Sequence, residues 1–252
     1  MQHFFFYGTL CHLPLLRAVL GRDVTPEPAV LPEHAVFWAQ GQAFPLILAA
    51  AGGRAAGVLL RDPTPQDVAR LDFYEGGFGY DSRNVAVLAP GGAVPAQVYF
   101  PRDGQLQPGP EWSLDAWAAR WGETVVATAG DFMALQGQRP GAEVRARYHQ
   151  MLVRGASRVR AAAPGPTVLR RSVHGGDVVV EALRQSYADF FAVEDYTLHH
   201  RRFDGSLSAN LARAAFVSGD AVTVLPFDPQ RDRVLLIEQF RVGPMARGDA
   251  QP

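Results

Sequence analysis

Glu75 is the residue of this sequence best suited to moving a proton. It lies in Phe73-Tyr74-Glu75-Gly76-Gly77-Phe78-Gly79-Tyr80, an acid among aromatics and glycines. Aromatic surroundings desolvate a carboxylate and raise its pKa toward neutrality, where a general acid/base works best. Glycines let the backbone approach a ligand closely. The same residues also suit an ordinary exposed turn glutamate, and local chemistry leaves both readings open. A second stretch, Phe4-Phe5-Phe6-Tyr7-Gly8-Thr9-Leu10, is an apolar aromatic run that stops at Tyr-Gly-Thr. Pro14 then opens a helix-like segment, Leu15 to Leu20, closed by Gly21. A strand, tight turn and helix start of this kind turns N–H groups outward, toward an anion or oxyanion. Most such junctions bind nothing.

Composition narrows the chemistry. The 252 residues fit one large domain or two ordinary ones, and 48% hydrophobic content supports a buried core. A net charge of -1 gives no global attraction to nucleic acid or acidic membranes. Every basic residue is arginine, which excludes a P-loop lysine and a Schiff-base lysine. Cys11 is the only cysteine, so there is no internal disulfide and no thiolate metal cluster; it reads as a small buried hydrophobe. The first residues lack a cationic leader, and no apolar run approaches ~18 residues. The expected location is the cytoplasm.

The elements that would position these residues follow in order. Val30 to Gln40 and Phe44 to Leu48 read as strands, Gly52-Gly53 as a hairpin turn, and Ala55 to Arg61 as a strand. Thr64-Pro65-Gln66-Asp67 starts a short helix to Leu71: Thr64 caps, Pro65 fits the first turn and Asp67 favours the dipole. Tyr80 to Leu88 and Val94 to Phe100 are strands joined at Gly91-Gly92. Ser113 to Leu135 is a long helix with Ser113 as cap, Gly137 as stop and an apolar stripe through Trp117, Trp121, Thr128 and Phe132.

From Arg139 to Arg171 arginines dominate, facing only Glu143. This reads as a basic, solvated helix linking two parts, since no aromatic platform for nucleic acid accompanies it. Ala161 to Pro166 breaks it as a linker. Beyond Thr167, strands are expected at Asp177 to Arg184, Phe191 to Arg202, Ala221 to Phe227 and Val234 to Phe240, with a tight turn from Phe227 to Asp232. His199 and His200 are adjacent on a strand, point to opposite faces and do not suit one metal ion.

Tyr7-Gly8-Thr9-Leu10, Leu71-Asp72-Phe73-Tyr74-Glu75-Gly76 and Tyr80-Asp81-Ser82-Arg83, in this order and spacing, resemble the gamma-glutamylcyclotransferase-like (AIG2-like) family over residues 1–137. The resemblance implies an α+β fold, a small mixed β-barrel with flanking helices. It implies a small-molecule gamma-glutamyl substrate and no cofactor. Glu75 would be the catalytic acid/base; Tyr7, Gly8, Thr9, Leu10 and Tyr80 would line the pocket. Arg83 either pairs with Asp81 or another acid or approaches a substrate carboxylate.

Phe190-Phe191, Tyr196, His199 to Ser208, Val222 to Pro229 and Arg231 to Arg241 resemble the first part of a Nudix hydrolase of the ADP-ribose diphosphatase type, in its TrgB-like branch. Residues 1–137, 138–172 and 173–252 are thus expected to be a cyclotransferase-like domain, a basic helix with linker, and an incomplete Nudix-type sheet. The carboxylates of the Nudix box are not in the sequence, so Mg²⁺ would be needed only by a complete Nudix domain. This resemblance implies a homodimer through the sheet and substrate contacts at Arg213 and Arg241. Neither nucleic acid nor membrane is expected as a partner.

Overall fold

In the computed structural model, residues 2–102, 106–163 and 174–249 are described. The barrel is built on strand β1 (Phe4–Phe6), which pairs antiparallel with β3 (Pro45–Leu60) and parallel with β5 (Gly92–Pro101). β5 pairs with β4 (Tyr80–Ala89), β4 bridges to β2 (Glu27–Ala39), and β2 returns to β3, which closes five strands on themselves. Closure removes the open edges that otherwise invite aggregation. A short β6 (Pro108–Glu111) adds to β2 outside the ring.

β1 is buried on both faces, which is why it reads as an unbroken aromatic run and not as an alternation. Phe5 and Tyr7 join Leu31, Ile47, Leu59 and Val98 inside the barrel. Phe4 and Phe6 face the helices, among Leu16, Leu71, Tyr74 and Phe132. Gly57 makes this approach possible: a Cβ there would lie 2.1 Å from the Phe6 carbonyl oxygen.

Helix α1 (Leu13–Leu20) carries Pro14 in its first turn and ends on Gly21 at φ 70°. Helix α2 (Pro65–Gly77) begins with the expected cap. The Asp67 N–H donates to Thr64 Oγ1 (3.1 Å) and the Thr64 N–H to Asp67 Oδ2 (2.8 Å). Arg22, with the cap behind it, holds the Asp67 carboxyl down to about 2. α2 runs six residues past Leu71, so Glu75 lies in its last turn and not in a loop after it.

Gly52-Gly53 is not a hairpin turn. β3 runs straight through it, and the irregularity is a bulge against Pro32 and His34 of β2. Gly52 takes φ 70°, Glu33 takes φ 58°, and the Gly52 N–H donates to Glu33 Oε2 at 2.8 Å. The β2–β3 reversal lies instead at Gly41, also at φ 70°.

The long helix expected from Ser113 is α3 (Leu114–Trp117), a π turn at Ala118–Gly122 and α4 (Glu123–Met133), with Ser113 Oγ accepting from the Ala116 N–H. The basic stretch forms α5 (Gly141–Ala146) and α6 (Tyr148–Ala161) and is not merely solvated. Arg154 is fully buried, its Nε donating to Asp131 Oδ2 of α4 at 3.1 Å. Arg158 binds both Asp131 and Glu194, and Arg147 binds Asp189. The expected linker at 164–166, with Arg170 and Arg171, lies outside the described residues.

Glu194 belongs to β8 (Ala192–His200), the centre of an antiparallel sheet with β7 (Val178–Ala188) and β9 (Leu211–Val217). β9 was not anticipated; its alanine-rich sequence lacks the β-branched signal. Residues 1–219 form one compact unit and 220–252 another. In the latter, Ala221 to Phe227 and Val234 to Phe240 are not full strands. Phe227–Asp228 (β10) pairs with Arg233–Val234 (β11) across the expected turn, and α7 (Val242–Arg247) follows.

Candidate functional site

The turn after β1 is shaped by close approach. A Cβ on Gly8 would lie 2.5 Å from Pro45 Cγ at the start of β3, so only glycine fits without displacement. Thr9–Cys11 forms one 3-10 turn, closed by N–H bonds from Cys11 to the Gly8 oxygen (2.9 Å) and from His12 to the Thr9 oxygen (3.0 Å). The N–H groups of Gly8, Thr9 and Leu10 precede the first of those bonds and are left over by it. Leu10 sends its side chain into the core, so only its backbone is free to face a ligand. Cys11 Sγ donates to the Phe6 oxygen at 3.1 Å, and burial pushes the thiol up to about 12, so it is an unreactive wall residue.

Glu75 is half-buried in the last turn of α2, whose end is fixed by the Phe78 N–H bonded to the Glu75 carbonyl oxygen. Desolvation pushes its carboxyl up to about 7. Among the described residues no arginine or histidine forms an ion pair with it. Four tyrosines surround it. Tyr7, Tyr74, Tyr80 and Tyr99 are held protonated first by burial, and the Glu75 charge raises each of them further. The Tyr7 hydroxyl donates to the Tyr99 carbonyl oxygen (2.8 Å), and the Tyr99 hydroxyl donates to Asp72 Oδ1 (2.8 Å). Tyr80 reaches the Pro45 carbonyl oxygen at 3.4 Å. Pro45 therefore touches both Gly8 and Tyr80, and Tyr7 and Tyr80 both feel the Glu75 charge. Such a set combines a carboxyl that titrates near neutrality, neutral hydroxyl donors and spare backbone donors.

Other sequence candidates lie apart from it. Arg83 does not pair with Asp81, which binds Arg102; its guanidinium sits over the Phe100 ring at 5.2 Å. Arg213, on exposed β9, donates to the carbonyl oxygen of Ala212, and Arg241 donates to Gln239 Oε1. His199 Nδ1 contacts the Ser208 carbonyl oxygen, whereas His200 is exposed. A surface recess of about 410 Å³ between Arg22–Glu27 and Leu59–Asp62 has its charges already committed, Arg22 to Asp67 and Arg61 to Glu27.

The sequence reading missed two participants. Tyr99 with Asp72 braces the Tyr7 side of the cluster, and nothing local signals a pairing 27 residues apart. Arg145, read as one arginine among many, lies over the rings of Phe78 (4.8 Å) and Tyr148 (5.4 Å) beside the same cluster. Its spacing of three from Tyr148 was the available signal.

Two solved structures resemble the chain at 21% identity. One is a protein of Arabidopsis thaliana, covering 56% of this chain and 86% of its own, with a TM-score of 0.40. The other is an AIG2-like protein of Mus musculus, covering 45% and 88%, with a TM-score of 0.37. Among curated proteins, an ADP-ribose pyrophosphatase of Escherichia coli is 44% identical over 66 residues, 26% of this chain and 32% of that protein. Another, of Haemophilus influenzae, is 31% identical over 67 residues, 27% and 31% of the two chains. The chain thus spans less than a third of the length of these curated relatives. The model of the family described as gamma-glutamyl cyclotransferase, AIG2-like, matches residues 4–119, a span that holds Glu75 and the Tyr7–Leu10 turn.

Proposed function

We propose that Glu75 and the groups around it form a cyclotransferase site that releases 5-oxoproline from a gamma-glutamyl amine or peptide, with Glu75 as the acid/base. The observation that carries this reading is a half-buried carboxyl, free of any cation partner among the described residues and desolvated to a pKa of about 7. A gamma-glutamyl compound holds its α-ammonium and its γ-carbonyl in one chain, so folding it brings nucleophile and electrophile together without a second molecule. Glu75 takes a proton from the ammonium. The free amine nitrogen attacks the γ-carbonyl carbon, and the oxyanion forms beside the Gly8, Thr9 and Leu10 N–H groups and neutral Tyr80. Collapse breaks the old C–N bond, Glu75 returns its proton to the departing nitrogen, and the second proton shed by the ring nitrogen leaves on the released amine as its ammonium. The products are 5-oxoproline and the amine, and no water is consumed. No three His, Cys, Asp or Glu side chains gather to hold an ion among the described residues, and no step runs through Mg²⁺.

The test is 5-oxoproline release from a panel of gamma-glutamyl amines and peptides, with Glu75→Gln as control. Wild-type kcat/KM is expected to rise with pH through about 7 as the carboxylate forms. Glu75→Gln should lower turnover by roughly 10²–10⁴-fold. Stability supplies an independent readout. The folded pKa of Glu75 lies above its ordinary value of 4.5, so its contribution is complete below that value and is lost as pH rises through about 7. Glu75→Gln should therefore match wild type in acid and exceed it in Tm above neutrality. A fully active Glu75→Gln would sink the reading.

A second reading concerns the similarity to ADP-ribose pyrophosphatases. It suits a longer parent protein that hydrolyses ADP-ribose to AMP and ribose 5-phosphate. The 252-residue chain alone should release no AMP from ADP-ribose with Mg²⁺, and release would refute this.

A further inference from the structure

The turn that carries Glu75 is weakly held by its own sequence. Gly76, Gly77 and Gly79 follow the carboxyl within four positions, and glycine is a poor helix former because it gives up the most backbone freedom. The hold comes from outside. The Phe78 N–H donates to the Glu75 carbonyl oxygen at 2.9 Å. The Phe78 ring stacks on Phe132 of α4 at 5.7 Å, and Tyr148, the first residue of α6, meets it edge-on at 5.0 Å. Tyr148 also reaches the Phe132 ring, at 6.2 Å. Edge-to-face pairs have a preferred geometry, so displacing one ring moves the other. Two glycines seat α5 against the same turn. A Cβ on Gly141 would lie 2.7 Å from the Phe73 carbonyl oxygen, and one on Gly77 would lie 2.9 Å from the Gly141 oxygen.

Arg147 precedes Tyr148 and is the shared boundary of α5 and α6, where no side chain caps the α6 N-terminus. It binds Asp189, in the turn between β7 and β8. Further along the same helix, Arg158 binds Glu194 of β8 at 2.6 Å. The start of α6 is thus held by Phe78 on one side and by the sheet on the other. Both helices lie outside the 4–119 span of the family match.

We propose that Tyr148 is a positioning residue for Glu75, and that the Arg147–Asp189 ion pair couples the β7–β8 turn to it. Tyr148 acts through Phe78, whose N–H fixes the Glu75 carbonyl and with it the direction of the carboxyl. The sheet thereby joins the machinery of the Glu75 site, because what moves the β7–β8 turn moves the start of α6. The kinetic readout of this proposal rests on the cyclotransferase reading; the placement of Glu75 is read without turnover.

The experiment uses the full chain. The gamma-glutamyl panel gives kcat and KM, and ¹³C NMR of the glutamate carboxyls, with Glu75→Gln assigning the signal, gives the Glu75 midpoint. Neighbouring groups leave that titration clear. Tyr7, Tyr74, Tyr80, Tyr99 and Tyr148 are held protonated first by burial, Asp72 accepts from the Tyr99 hydroxyl, and Arg145 is a permanent cation. Tyr148→Leu keeps an apolar side chain for folding but not the ring edge. It should lower kcat about tenfold with KM within about threefold. The midpoint should fall from about 7 toward 4.5 as water reaches the loosened turn. Tyr148→Phe keeps the ring and should stay within about twofold of wild type. Asp189→Asn should act in the same direction, by about fivefold or less in kcat. Added to Tyr148→Leu it should change nothing further, because the ion pair acts through Tyr148.

Circular dichroism checks folding, and the Asp189→Asn arm does not depend on the Tyr148 variants. A Tyr148→Leu protein that loses Tm but keeps the wild-type kcat and midpoint would reduce the residue to packing and overturn the proposal. Additive effects of Asp189→Asn and Tyr148→Leu, or an unmoved midpoint in Asp189→Asn, would overturn the coupling. A midpoint shifted by Tyr148→Leu in a protein whose wild type turns over nothing would uphold the placement of Glu75 and sink the cyclotransferase reading instead.

Discussion

Phe4-Phe5-Phe6 and Leu235-Leu236-Ile237 are similar apolar triplets with opposite fates. The first is 1%, 1% and 4% exposed, the second 64%, 76% and 76%. β1 has β3 on one edge, β5 on the other, the barrel interior under Phe5 and helices over Phe4 and Phe6. Leu235 has one backbone bond, from its N–H to the Pro226 oxygen, and no residue from 220 to 249 is buried. An apolar run supplies the driving force for burial but not the surfaces that accept it. In the barrel the edge partners of β1 come from residues more than fifty positions away, and closure delivers them to both edges at once.

Phe5→Ala is the sharpest way to break this contrast. It removes a ring that fills the barrel interior, and the flanking strands are too constrained to collapse around the gap. The expected cost is about 3–5 kcal/mol, or roughly 10 °C in Tm for a unit of this size, read by thermal unfolding. A loss below about 1 kcal/mol would mean that the interior is not packed as described.

The elements that local chemistry specifies were legible in the sequence: β1, the Thr64 cap, and the Pro14 and Gly21 limits of α1. Each rests on neighbours within a few positions. What could not be read depends on distant partners. Gly52-Gly53 carries the composition of a turn, but pairing with β2 on either side makes it a bulge. Arg147, Arg154 and Arg158 look like one solvated face because their carboxylates, Asp131, Asp189 and Glu194, lie elsewhere in the chain. Arg145 was hidden for the same reason, since its surroundings come partly from α2.

Those arginines give the next test, at the junction of the helical layer with the β7–β8–β9 sheet. Asp131 binds buried Arg154 and also Arg158, which reaches on to Glu194. The two Nη atoms of Arg154 have no acceptor among the described residues, so Asp131 is its one charge partner there. Asp131→Ala leaves a buried cation unpaired and should cost about 3 kcal/mol or somewhat more, again read as Tm. Hydrogen exchange should quicken in β8 as well as in α6. A drop in Tm with β8 unaffected would show that the pair stabilises the helices alone.

Leu236→Ser addresses the other side of the contrast and should do the least. At 76% exposure the side chain has almost no apolar contact to lose, so the change should fall within about 0.5 kcal/mol. Unfolding must be followed by a probe in 220–249, because a global signal is dominated by the larger unit. Removing an exposed leucine from one of the most apolar stretches should also raise the concentration at which the protein stays soluble. A loss comparable to that of Phe5→Ala would mean that Leu236 is covered in solution by a surface absent from the single chain. The two triplets would then differ only in where their partners come from.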